Sequence, residues 1–228
     1  MTDIIYEDAD ILLTHKPAGI PVQTKRVGQK DMVSILKNYR AEKSEEPYIA
    51  AVHRLDQPVE GILLFAKTKE AASVLSSQVR EGCMDKYYRA VVCNRRKGQL
   101  TAGESGILTD YLLKDQRMNL SKAVSESTKG AKKAVLRYEV LKTKGILAEV
   151  WIQLETGRHH QIRVQMANAG LPLAGDMKYG WKDAPLSAGY GKNPALCSVK
   201  IVFIHPKSGK KMEFETQPKN PVFQLLKE

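Results

Sequence analysis

Short apolar runs closed by Gly or Pro turns recur along this chain, and few carry helical spacing. Residues 4–6 and 10–14 read as strands ahead of the turn Pro17-Ala18-Gly19. Tyr48–Val52 and Gly61–Thr68 suit buried strands. Further strands are predicted over Lys86–Val92, Lys133–Lys142 and Ile146–Leu154, the last two joined at Gly145. Lys200–His205 and Lys211–Thr216 form a closing hairpin. Helices are predicted over Met32–Asn38, over Lys69–Glu81 and over Arg158–Ala169. In the second, Thr68 suits the N-cap, Gly82 the stop, and Ala71, Leu75 and Val79 share one face. In the third, Ile162, Met166 and Ala169 make one apolar stripe. Residues 94–130 are polar and predict a short hairpin with a basic, Ser-rich loop. Strands thus outnumber helices and adjacent ones join through short turns, which argues for an α+β fold with a largely antiparallel sheet. No linker or repeat divides the chain, so residues 1–228 read as one domain.

Charge narrows the partner. Residues 1–60 hold 8 basic and 10 acidic side chains, whereas residues 61–228 hold 28 and 15. Residues 114–144 alone hold nine basic against three acidic. Such a regional surplus suits a polyanion, either nucleic acid or an anionic membrane, or else a basic protein with no such partner. Cys83, Cys93 and Cys197 form no CxxC pair, which predicts no disulfide framework. His15, His53, His159, His160 and His205 show no zinc spacing, so no metal is expected. The N-terminus carries acidic residues where a signal peptide is basic, and Ile62–Ala66 is too short to cross a bilayer. A cytoplasmic protein without membrane association is the expectation.

Four segments carry candidate chemistry. In His53–Gly61, HRLDQPVEG, Asp56 sits in a loop between two apolar runs. It suits a nucleophile or general base, and equally an Asx-turn before Pro58 or a salt bridge to Arg54. In Glu155–Gln165, ETGRHHQIRVQ, the groups Arg158, His159, His160 and Arg163 suit either a site or a solvated helix start. On a helix the two histidines would point apart. In Lys86–Ala90, KYYRA, Tyr87 and Tyr88 face opposite sides of a strand, so that one ring is core and the other open to a cleft. In Gly170–Gly180, GLPLAGDMKYG, Asp176 suits a turn cap or a catalytic carboxylate.

Together, AVHRLDQPVEGILLFAKT, KYYRA, TGRHHQIRVQ and GLPLAGDMKYG stand in an order that resembles the RluA-type pseudouridine synthases over roughly residues 5–205. The resemblance implies a pseudouridine synthase fold: α+β, with a mixed, mainly antiparallel sheet and a central active-site cleft. It implies isomerisation of uridine to pseudouridine in ribosomal or transfer RNA, by base flipping, without cofactor or metal. By the same resemblance Asp56 is the nucleophile, Arg54 fills the space left by the flipped base, and Tyr88 packs on the uracil. Arg163 is the basic partner of Asp56, and His53 and Leu55 shape the loop. Arg158, His160 and Gln161 of the GRHHQIR motif fall to substrate binding. Val59-Glu60-Gly61 replaces the family's usual Thr-Ser-Gly, and Gln165 replaces a usual His. Glu60 then either raises the Asp56 pKa or points to solvent. A catalytic domain with no N-terminal RNA-binding module is expected, acting as a monomer, with RNA contacts falling on residues 114–144. The competing expectation is a basic RNA-binding protein that has lost catalysis. A third is a two-carboxylate glycosidase using Asp56 with Glu60.

Overall fold

The structure, a computed structural model, describes residues 3–26, 28–180 and 193–226. It runs β1 (Asp3–Glu7), β2 (Ile11–Lys16), α1 (Met32–Glu42), β3 (Ala50–Ala51), β4 (Glu60–Ala66), α2 (Lys69–Glu81) and β5 (Asp85–Cys93). There follow β6 (Ser105–Asp115), β7 (Leu120–Val124), β8 (Lys132–Lys144), β9 (Leu147–Leu154), α3 (Gln161–Asn168), β10 (Leu196–Ile204) and β11 (Lys211–Glu215). The segment Pro221–Leu226 turns as a 3-10 helix. The fold is α+β and its strand pairs are mainly antiparallel, as the pattern of runs and turns predicts. Two compact units make it up: Met1–Lys86 with Cys197–Gln217, and Tyr87–Leu196 with Pro218–Glu228.

In the first unit β2 pairs antiparallel with both β1 and β4. A parallel contact sets β10 beside β4, with Ser198 opposite Gly61, and β11 folds back on β10. Every residue of β2 and β4 is buried. Such strands read as continuous apolar runs rather than alternating ones. Thr68 caps α2 by accepting the Ala71 N–H at 3.1 Å, and Gly82 ends it in a left-handed turn. Ala71 and Leu75 then join Ile11, Leu13, Ile62, Leu64 and Phe203 in one core. Each such leucine contributes about 1.5–3 kcal/mol by burial. A capping box fixes the start of α1: Asp31 Oδ1 accepts the Ser34 N–H at 2.7 Å and Ser34 Oγ accepts the Asp31 N–H at 3.1 Å. The helix continues past the predicted Asn38 to Glu42, where Arg40, buried, donates to the Tyr48 and Lys67 carbonyls. The predicted strand at Tyr48–Val52 shrinks to Ala50–Ala51.

The second unit orders its strands β5-β9-β8-β6-β7. Here residues 94–130 depart from expectation. β6 is eleven residues long and pairs with β8 from Ser105↔Glu139 to Leu112↔Lys132, while β7 completes a hairpin with it. The loop Ser125–Ala131 after β7 is Ser-containing but not basic, with Lys129 against Glu126. The other departure is α3. It begins at Gln161 rather than Arg158, because His160 adopts a left-handed φ of 55°. Its residues Gln161–Met166 are all buried, not one apolar stripe.

Candidate functional site

Asp56 stands half-buried in the loop between β3 and β4, between buried Leu55 and exposed Gln57. The Val59 N–H donates to the Asp56 carbonyl at 3.0 Å, closing a turn over Pro58. This loop is stitched to the Pro17–Ile20 turn from both sides: Gly19 N–H donates to Gln57 O at 2.8 Å, and Gln57 Nε2 donates to Gly19 O at 2.9 Å. Beneath both lies Lys16, with no exposed surface. Its Nζ donates to the carbonyls of Pro17 (2.9 Å), Ile20 (2.7 Å) and Gln57 (3.0 Å). Burial pushes the Lys16 ammonium down to about 7, against the opposing fields of Asp56 and Glu60. Sequence reading missed Lys16. The available signal was a charge ending a run, ILLTHK, that lacks the polar alternation of an exposed strand.

Glu60 does not point to solvent. It is buried at the start of β4, with a carboxylate oxygen 3.6 Å from His15 Nε2. Arg54 is exposed and His53 and Leu55 are buried. His53 Nε2 accepts the Leu64 N–H at 3.2 Å, so the ring is a loop support. Burial, reinforced by the Lys86 cation, pushes His53 down to about 3, leaving the imidazole neutral at pH 7. An unfolded histidine titrates near 6.5. Between about 6.5 and 3 the unfolded chain therefore binds a proton at His53 that the native state does not, and stability falls as pH drops through that window. By pH 4.5 the loss from this group reaches about 2.5 kcal/mol. Urea midpoints measured from pH 7 to 4.5 are expected to fall, and His53→Gln to flatten the fall. A His53→Gln slope equal to wild type would remove His53 as the cause.

In the second unit the GRHHQIR and GLPLAGDMKYG segments interlock. Arg163, at the buried heart of α3, donates Nε to Asp176 Oδ2 and Nη2 to Asp176 Oδ1, both at 2.7 Å. Asp176 Oδ1 also accepts the Lys178 and Tyr179 N–H groups, so this carboxylate is a turn cap and an arginine clamp together. The Arg163 guanidinium lies 5.2 Å from the Tyr179 ring centre. Tyr179 Oη is 2.8 Å from His160 Nδ1 and accepts the Ser121 N–H at 2.7 Å, tying the motif to β7. His159 and His160 do not point apart. Their rings stack at 3.7 Å, because both precede the helix and the left-handed His160 folds one ring onto the other. Burial first, then Arg163, His159, Lys178 and Lys114, push His160 down to about 2.

Gln161 is turned inward: its Oε1 accepts the Arg158 N–H and the Thr156 hydroxyl, and its Nε2 donates to Val135 O. Arg158 is exposed and donates to Lys133 O at 2.9 Å. Gln165 is fully buried and donates to Asp110 Oδ2 at 2.8 Å, which anchors α3 on β6. Of the KYYRA pair, Tyr88 is the buried ring, and half-buried Tyr87 lies 5.6 Å from Trp151. Asp56, Arg54, His53 and Leu55 thus belong to the first unit, and Tyr88, Arg158, His160, Gln161 and Arg163 to the second. Among the described residues, Asp8, Asp10 and His205 have metal-like spacing, but the Asp8 carboxylate accepts the Asp10 and Ile11 N–H groups and contacts His205 Nε2 at 2.9 Å. No described helix is long and apolar enough to cross a membrane.

Residues 10–168 match the family model described as RNA pseudouridylate synthase. The chain is 32% identical over 232 residues to the ribosomal large subunit pseudouridine synthase D of Neisseria meningitidis serogroup B, across 98% of this chain and 60% of that protein. It is 33% identical to the ribosomal large subunit pseudouridine synthase C of Escherichia coli, across 93% of this chain and 65% of that protein. The chain therefore spans about two thirds or less of these relatives' length. Among solved structures, human RNA pseudouridylate synthase domain containing 4 superposes with a TM-score of 0.74 at 20% identity, over 95% of this chain and 88% of that one. Human RNA pseudouridylate synthase domain containing 1 gives 0.74 at 18% identity, over 99% and 94%. At those identities the likeness carries the fold alone.

Proposed function

This chain belongs to the RNA pseudouridylate synthase family, and from that premise we propose that it isomerises uridine to pseudouridine in RNA. The names of its curated relatives favour ribosomal RNA over transfer RNA. The observation that carries the reading is the HRLD loop itself: Asp56 half-buried on a backbone locked to the Pro17–Ile20 turn.

The chemistry asks for those residue types. The N1–C1′ bond breaks, the uracil turns, and C5 bonds to C1′; the C5 proton leaves to solvent and N1 regains one. Asp56 supplies the carboxylate that attacks or stabilises the detached sugar or base. Extrusion of the nucleotide costs stacking, which Arg54 offsets by filling the vacated space. The family resemblance sets Tyr88, the buried ring of the KYYRA pair, against the uracil and makes Arg163 the basic partner of the nucleophile. His53 and Leu55 shape the loop, while Arg158, His160 and Gln161 support the substrate-binding motif. Lys114, Lys122, Lys129, Lys132 and Lys133 line the basic stretch that receives phosphates. In this reading residues 1–228 act as one catalytic domain, as a cytoplasmic monomer needing neither metal nor cofactor.

Release of tritium from RNA labelled at uridine C5 tests it directly. The protein is expected to release one tritium per pseudouridine formed. A binder without catalysis releases none, and that result would transfer the chain to the RNA-binding alternative.

A further inference from the structure

Among the described residues the two most exposed large apolar side chains are Met118, 65% exposed, and Met177, 68% exposed. Met118 lies in the turn between β6 and β7, and Met177 in the turn that follows Asp176. The two turns are bonded to each other. Lys178 Nζ donates to Asn119 O at 2.8 Å, and the Ser121 N–H donates to Tyr179 Oη at 2.7 Å. His159 adds to the tie, with Nδ1 2.8 Å from Ser121 Oγ and Nε2 3.2 Å from Asn119 Oδ1. Each turn is also fixed within itself. Asp115 Oδ1 accepts the Met118 N–H at 3.0 Å, and Asp176 Oδ1 accepts those of Lys178 and Tyr179. Both methionines therefore stand on backbone that is already held in place.

Exposed apolar side chains inside a polar rim mark a contact surface. The rim here is basic. Over residues 114–122 and 176–180 the exposed charges are Lys114, Arg117, Lys122 and Lys178 against Asp115, four cations to one carboxylate. The other acid of these segments, Asp176, is buried in the Arg163 clamp. Such a balance selects a polyanion. The unbranched thioether adapts to an irregular surface and suits insertion between bases. We propose that Met118 and Met177 form a wedge for RNA: the surrounding cations hold phosphates, and the methionine side chains enter a base step and unstack it. The proposal rests on RNA being the substrate of this chain. It adds an apolar contact to the phosphate contacts of residues 114–144.

The experiment uses the full chain and a series of RNA stem-loops, each carrying 2-aminopurine at one stem position, whose fluorescence rises when its base unstacks. Wild type is compared with the double variants Met118→Ala/Met177→Ala and Met118→Leu/Met177→Leu. Both positions are exposed, so neither pair disturbs the core. Wild type is expected to raise the fluorescence about twofold or more at one stem position or at two neighbouring ones. The alanine pair is expected to lose that rise together with about tenfold in affinity, because the methylene and thioether groups no longer leave water on binding. Its salt dependence stays that of wild type, since no phosphate contact is removed. The leucine pair, close in volume, keeps both the rise and the affinity. Tritium release from C5-labelled ribosomal RNA follows, with kcat/KM of the alanine pair down about tenfold. An alanine pair with wild-type affinity and fluorescence overturns the wedge and leaves the patch to a protein partner. Weaker binding with an undiminished rise means contact without insertion, and overturns it as well. A wild type that unstacks the probe but releases no tritium sinks the proposed activity and leaves the wedge standing.

Discussion

Asp56→Asn is expected to abolish tritium release from C5-labelled RNA, by about 10⁴-fold or more in kcat, while RNA still binds within a few-fold of wild type. The amide keeps the shape of the carboxylate but cannot attack carbon, and it carries no charge to stabilise a cation-like sugar. Affinity rests on lysines and arginines against phosphates, which this change does not touch. The variant also removes one of the two carboxylates whose fields support the Lys16 ammonium. The assay therefore belongs at about pH 5, where Lys16 stays charged even after this field is lost, so that loss of the nucleophile is not confused with loosening of the loop. Wild-type turnover in Asp56→Asn would contradict the assignment of the nucleophile outright. Lost RNA affinity together with lost turnover would place Asp56 in the fold rather than in the chemistry.

The legibility of the chain followed the range of the forces involved. The ends of α2 could be read because Thr68 and Gly82 act on their own turn of helix, and both perform as their types predict. The HRLD loop could be found because its residues are consecutive. β6 was harder: its exposed face carries Ile107 and its half-buried face carries Gly106 and Asp110, so residue type does not follow the alternation of burial. α3 starts late because His160 takes a left-handed φ, a choice set by its contacts with Tyr179 and His159 rather than by local propensity. The Arg163–Asp176 clamp joins residues thirteen apart across a turn, and Asp176 alone read equally as cap or catalyst. Lys16 was the least visible, because a lysine before Pro-Ala-Gly looks like an ordinary exposed turn flank. Its burial follows from the pairing of β2 with β4, Lys16 opposite Gly61, which no local pattern announces.

Gly61→Ala is expected to prevent accumulation of folded protein. A Cβ at this position would lie 2.3 Å from Ser198 O and 2.4 Å from Ser198 N, both backbone atoms of β10, and Gly61 holds a φ of 120° that L side chains rarely adopt. Neither strand can yield cheaply. β4 is buried along its whole length, and β10 pairs with it at this residue while carrying Ile201 and Phe203 into the core. Backbone strain of about 1–3 kcal/mol adds to an overpacking cost of about the same size, against a total stability of about 5–15 kcal/mol. Gly19→Ala is the control: its φ of 93° is also positive, but nothing lies within 4 Å of the added Cβ. That variant should fold and lose only about 1–3 kcal/mol. Soluble yield and urea midpoints of the two variants decide the matter. A Gly61→Ala protein as stable as Gly19→Ala would mean that β10 shifts to admit a methyl group.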